Sequence, residues 1–170
     1  MTAMSIDNLK ARIRPPMCNE VKECDVWKFF DIVNCYSYAL GLLYDISHLN
    51  PGQISKMQKK HKYTDKELLE RVEEDVHILG MIIRESTLEE DVTGDNSWKI
   101  AIMNTDIDSV HEHYDYHFLK QCPDKLWYQK IPYEQFPSKY DSHFHTITNP
   151  ETASYPYHYH LVGYFVVTKN

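Results

Sequence analysis

The 170-residue chain predicts an α+β fold, with helices first and an antiparallel sheet after them. Helical apolar spacing is confined to the first half of the chain. After Thr93-Gly94-Asp95 the pattern changes to short β-rich runs. The length suits one domain, with no internal repeat, low-complexity tract or Gly/Ser linker to divide it.

Residues 1–24 are polar, contain Pro15 and Pro16, and read as an irregular lead-in with one short helix at Ile6–Ile13. Residues 25–170 read as a single domain. Asn34 to Leu43 reads as a helix rich in Tyr, Ala and Leu, with Asn34 as its N-cap. Asn50-Pro51-Gly52 is a turn signal that stops it. Thr64-Asp-Lys-Glu67 forms a capping box, and Leu68, Val72, Val76, Leu79 and Ile83 follow at spacings of three and four. These predict an amphipathic helix from Asp65 to Glu85, with Glu73-Glu74-Asp75 on its solvated face. Strands are expected at Trp98–Met103, Tyr114–Leu119, Leu126–Ile131, His143–Ile147 and Leu161–Val167, giving a sheet of four or five strands.

A formal charge of −7 argues against general nucleic-acid binding, which needs a basic stripe to displace counterions from phosphates. No apolar run approaches a membrane span, and MTAMSIDNLKARIRPPM lacks the apolar region of a secretory signal. Cytoplasmic synthesis without a membrane partner is therefore expected, with export by a signal-independent route left open. Cys18, Cys24, Cys35 and Cys122 form no C-x-x-C pair, so free thiols are expected in place of a zinc ribbon or a disulfide framework.

Cys35 carries the sharpest question. As the first residue after Asn34, it would face unpaired backbone N–H groups and the positive end of the helix dipole, both of which favour a thiolate. The plain alternative is a buried packing residue. A nucleophilic thiol needs a histidine, itself oriented by a third polar group. His117, in YDYHFLKQ, would share a strand face with Asp115 and Leu119. Asn149, in TITNPETAS, follows an expected strand and precedes a proline, and its amide would hold the second ring nitrogen. Taken singly, His117 also reads as a half-exposed strand residue and Asn149 as a turn former.

The ordered series NCYSYALG, then NPG, DYHFLKQ, LWYQK, ITNPETA and VGYFVV resembles papain-like thiol hydrolases of the NlpC type, a group of bacterial and phage proteins that includes cell-wall peptidases and amidases. The likeness spans Asn34 to Val167. It implies a thiol at the N-terminus of a helix packed on an antiparallel sheet, a histidine on that sheet, and a polar third residue on the next strand or its end. Position by position, it makes Cys35 the nucleophile, His117 the general base and Asn149 the orienting group. The family pattern often has Asp where this chain has Asn149, and the histidine and glycine expected near Tyr128 and Pro132 are absent. The implied activity is cleavage or transfer at an amide bond of a peptide or protein substrate, without a cofactor. An effector or toxin role is a further implication of that likeness.

Two other readings stand beside it. One is a catalytically silent protein-binding module on the same scaffold, using Tyr155-Pro-Tyr-His-Tyr-His160 as its contact face. The other is a metal-dependent enzyme built from the pairs His111/His113, His143/His145 and His158/His160, since residues two apart on a strand share a face.

Overall fold

The computed structural model describes residues 5–16, 33–42, 49–106, 113–132 and 134–170. Cys18, Cys24 and His111 lie outside the described residues.

In chain order the elements are α1 (Ile6–Arg12), α2 (Cys35–Ala39), α3 (Asp65–Ile78), β1 (Met81–Ser86), β2 (Ser97–Thr105), β3 (Tyr116–Gln121), β4 (Trp127–Gln129) and β5 (Tyr159–Lys169). The strands form one five-stranded sheet in the order β1-β5-β2-β3-β4, with every neighbouring pair antiparallel. The α+β expectation therefore holds at the level of helices preceding an antiparallel sheet.

Alternation along the strands gives the sheet two buried faces. Ile100, Ile102, Phe118, Phe165 and Val167 join Tyr36, Ala39, Leu68, Val72 and Val76 in the helix-side core. Ala101, Met103, Leu119, Trp127 and Tyr164 join Ile147 in a second core under the loop that precedes β5. Strand β2 is buried on both faces because it lies at the centre of the order.

The lead-in helix α1 contributes Leu9 and Ile13 to the helix-side core. Gly41 makes that junction possible. It lies at φ +73°, and a Cβ there would stand 2.3 Å from the Arg14 carbonyl oxygen. Arg14 N–H then donates to Gly41 O at 2.9 Å, beside the Ile13–Leu42 bridge.

Helix α3 has the expected capping box at Thr64 and Glu67 but ends at Ile78, short of Glu85. Gly80 turns the chain at φ +73°, and Met81–Ser86 runs on as an edge strand beside β5. The helical spacing of Leu79 and Ile83 had masked a period of two, in which Met81 is buried and Ile82 exposed. Asp75 also departs from the solvated face assigned to it. It is fully buried, one turn from Arg71, Val72 and Leu79 on the core side. There it accepts hydrogen bonds from Tyr36 Oη, Gly52 N–H, Ser55 N–H and Ser55 Oγ. One carboxylate thus ties α2, the Pro51-Gly52 turn and α3 together, and four donors offset the cost of burying its charge.

The segment His143–Ile147, expected to be a strand, is a loop. Asp141 Oδ1 accepts the N–H groups of His143 and His145, its Oδ2 accepts that of Ser154, and Phe144 sits at φ +63°. Side-chain capping of successive N–H groups competes with strand pairing and wins here.

Candidate functional site

Asn34 starts α2 as expected. Its Oδ1 accepts from Ser37 N–H at 2.9 Å, and its Nδ2 donates to Leu49 O. The helix is five residues long, with Cys35 first. The N–H groups of Cys35 and Tyr36 precede the first intrahelical bond, so they are available to the sulfur. Tyr36 pins the helix from below through Asp75, and Trp98 Nε1 donates to Ala39 O at its far end.

Strand β3 pairs with β4 only over Leu119–Gln121, so its edge at residues 116–118 carries no strand partner on that side. The Cys35 sulfur lies at this open edge, where the N–H of Phe118 points toward it along with those of Tyr36 and Cys35. His117, one residue earlier on β3, belongs to the opposite face of the sheet, together with Leu119. Both nevertheless line one cavity of about 790 Å³, with Asp115, Gln129, Tyr155 and Tyr159. Among the described residues no hydrogen bond joins Cys35 to His117.

The imidazole is held firmly. Its Nε2 lies 2.7 Å from Gln129 Oε1, and Gln129 Nε2 donates to Tyr140 O at 2.8 Å. A carbonyl only accepts, so the amide must offer its oxygen to the ring. His117 Nε2 therefore carries the proton, and Nδ1 keeps the lone pair a general base uses. Tyr159 stacks on the ring with centroids 5.6 Å apart and 23° between planes, and Tyr155 meets it edge-on at 5.8 Å.

Burial governs the protonation of both groups. It pushes the Cys35 thiol up to about 12, against the opposing pull of the nearby N–H groups, and the charge of Asp115 adds to the rise. The pull expected of the helix start is thus outweighed: only 7% of Cys35 is exposed, and burial raises the thiol more than the N–H groups of Phe118, Tyr36 and Cys35 lower it. Burial also lowers the His117 pKa below its ordinary value, with the Gln129 bond and Asp115 opposing. The resting pair is neutral thiol and neutral imidazole.

Asn149 is not brought to His117. Its Oδ1 accepts from Tyr164 Oη at 2.9 Å and from Glu151 N–H at 3.0 Å, which makes it the turn former of the Pro150 loop. The polar group at the imidazole is Gln129, on the strand after the histidine. Its signal lay in LWYQK: in an antiparallel hairpin, Gln129 pairs with Leu119 and so shares the face of His117.

The histidine pairs take other roles. His143 and His145 sit exposed on the Asp141 loop, and His160 Nε2 binds the Asp65 carboxylate at 2.8 Å. Among the described residues no three His, Cys, Asp or Glu side chains come together as a metal-ligand set. No helix among them is long and apolar enough to cross a membrane.

Helices on one face of a five-stranded antiparallel sheet, with a thiol and an oriented imidazole opening into one cavity, define the architecture and the site. No family model, curated protein or solved structure matches the chain.

Proposed function

We propose that the protein is a cysteine-dependent hydrolase or acyl transferase acting on an amide bond, with Cys35 as nucleophile, His117 as general base and Gln129 as the group that orients the base. The observation that carries this reading is the hydrogen-bonded order Tyr140 O, Gln129, His117. It leaves Nδ1 as the ring's acceptor, on a residue that lines the same cavity as Cys35. With neutral partners and no hydrogen bond between them among the described residues, one water relays the proton from sulfur to Nδ1 as the sulfur attacks the carbonyl carbon. The N–H groups near the sulfur stabilise the resulting oxyanion. Collapse breaks the C–N bond, the imidazolium returns its proton to the departing amine, and a thioester remains. Water or a second amine then attacks the thioester, with Nδ1 again accepting the proton. The papain-like resemblance of the sequence supports the same roles for Cys35 and His117.

The test is to incubate the protein with a library of peptide amides and hydroxylamine, and to detect hydroxamate formed from the trapped thioester. Formation that is lost in both Cys35→Ser and His117→Ala supports the reading. Retention in Cys35→Ser removes it.

One observation favours a second reading, a binding module without turnover: a thiol pushed up to about 12 is a poor resting nucleophile. Its mark would be ligand binding in the cavity with no covalent adduct at Cys35 and no effect of Cys35→Ser on affinity.

A further inference from the structure

Resting on the acyl-transfer reading for the reacting atoms, we infer that the cavity recognises an organic ammonium group, held between the carboxylate of Asp115 and the rings of Tyr155, Tyr157 and Tyr159. The substrate of Cys35 would then be an amide or acyl acceptor carrying an alkylammonium near the reacting bond.

Asp115 lies on the cavity wall with only neutral donors. Its Oδ1 accepts from Tyr116 N–H at 2.9 Å, and its Oδ2 accepts from Tyr159 Oη. No cationic side chain among the described residues pairs with it. Asp115 is half-buried beside aromatic rings, and its carboxylate offers a bound cation a charge-assisted partner. The tyrosines supply the rest of a cation site. Tyr155 stands at 84° to Tyr159 and Tyr157 at 71°, as adjoining walls do, with centroids 5.6 and 6.0 Å away. Tyr157 is 42% exposed and its hydroxyl makes no hydrogen bond among the described residues, so its ring stands at the mouth beside Tyr159. Ring faces attract ammonium groups, and the attraction strengthens where water is excluded.

The rim's own cations come from another segment. Lys60 is engaged by Glu67, while Lys59 and His61 face solvent. Across the whole chain the charge of −7 draws cations in. Asp115 also links recognition to reactivity. Its charge opposes ionisation of Cys35, and an ammonium set against it removes that opposition.

The experiment compares two methanethiosulfonates of equal reach, one ending in trimethylammonium and one in sulfonate. The sulfur displaces methanesulfinate from either reagent and forms a mixed disulfide, and peptide mapping reads the rate at Cys35 alone. After correction for each reagent's rate on the urea-unfolded chain, the cationic reagent should react roughly ten-fold faster or more. Asp115→Asn should bring the ratio to about one, and Tyr157→Leu should lower it with Asp115 intact. A ratio near one in the wild type, or a preference for the sulfonate drawn by Lys59, overturns the inference. A His117→Ala arm separates the two proposals. Slower reaction with both reagents at an unchanged ratio supports both, whereas an unchanged rate removes the catalytic reading and leaves the ratio to decide cation recognition.

Discussion

Gln129 presents Oε1 to His117 Nε2 at 2.7 Å because its own amide nitrogen is committed to the Tyr140 carbonyl. This contact fixes the tautomer, so changing it should change the ring. Gln129→Leu leaves a buried ring N–H unpaired and should cost about 1–3 kcal/mol in urea unfolding. Gln129→Glu should raise the His117 pKa, because a carboxylate favours imidazolium; an NMR titration reads this. A ring titration unchanged in Gln129→Glu would contradict the contact.

The pH dependence of stability follows from His117. Its pKa in the fold lies below the ordinary 6.5, so the native state disfavours the proton that the unfolded chain takes up. The contribution is present above 6.5 and is lost as pH falls through the native pKa. Thermal unfolding should therefore show a drop in Tm on the acid side of 6.5 that is shallower in His117→Gln. Identical acid profiles in the two proteins would contradict the burial of a neutral ring.

Cys35 gives the opposite window. With its thiol pushed from 9.0 up to about 12, the iodoacetamide rate at Cys35 should keep rising with pH beyond 9.0, where an exposed thiol levels off. Peptide mapping from pH 7 to 11 reads it. A plateau at neutral pH would mean that the helix start, and not burial, sets the thiol.

Much of the fold was legible because its signals are local. The Thr64–Glu67 capping box, the Asn34 cap and the Pro51-Gly52 turn each act within a few residues, and all three formed. What failed depended on partners distant in the chain. Met81–Ser86 is a strand because β5 lies beside it, and Asp75 is buried because Tyr36 and the Gly52–Ser55 turn converge on it. In the candidate site, residue type and motif order single out Cys35 and His117, and both line one cavity. Asn149 stands out in a sequence as an asparagine before proline, whereas a strand glutamine such as Gln129 is read only through hairpin register.

Asn149 offers a clean control. Asn149→Ala removes the acceptor of Tyr164 Oη and Glu151 N–H and should cost about 1–2 kcal/mol in unfolding. It should leave the alkylation rate of Cys35 unchanged. A slowed Cys35 in a folded Asn149→Ala protein would return Asn149 to the site.

Whether sulfur and imidazole work as one unit is open to a single kinetic comparison, acetylation by p-nitrophenyl acetate. The sulfur takes the acetyl group, the C–O bond breaks and nitrophenolate leaves, so colour and the mass of the Cys35 peptide report the same event. The proposed pair predicts acetyl on Cys35, formed about a hundred-fold or more slowly in His117→Ala. Equal rates in the two proteins, or acetyl on Cys122 instead, would contradict it.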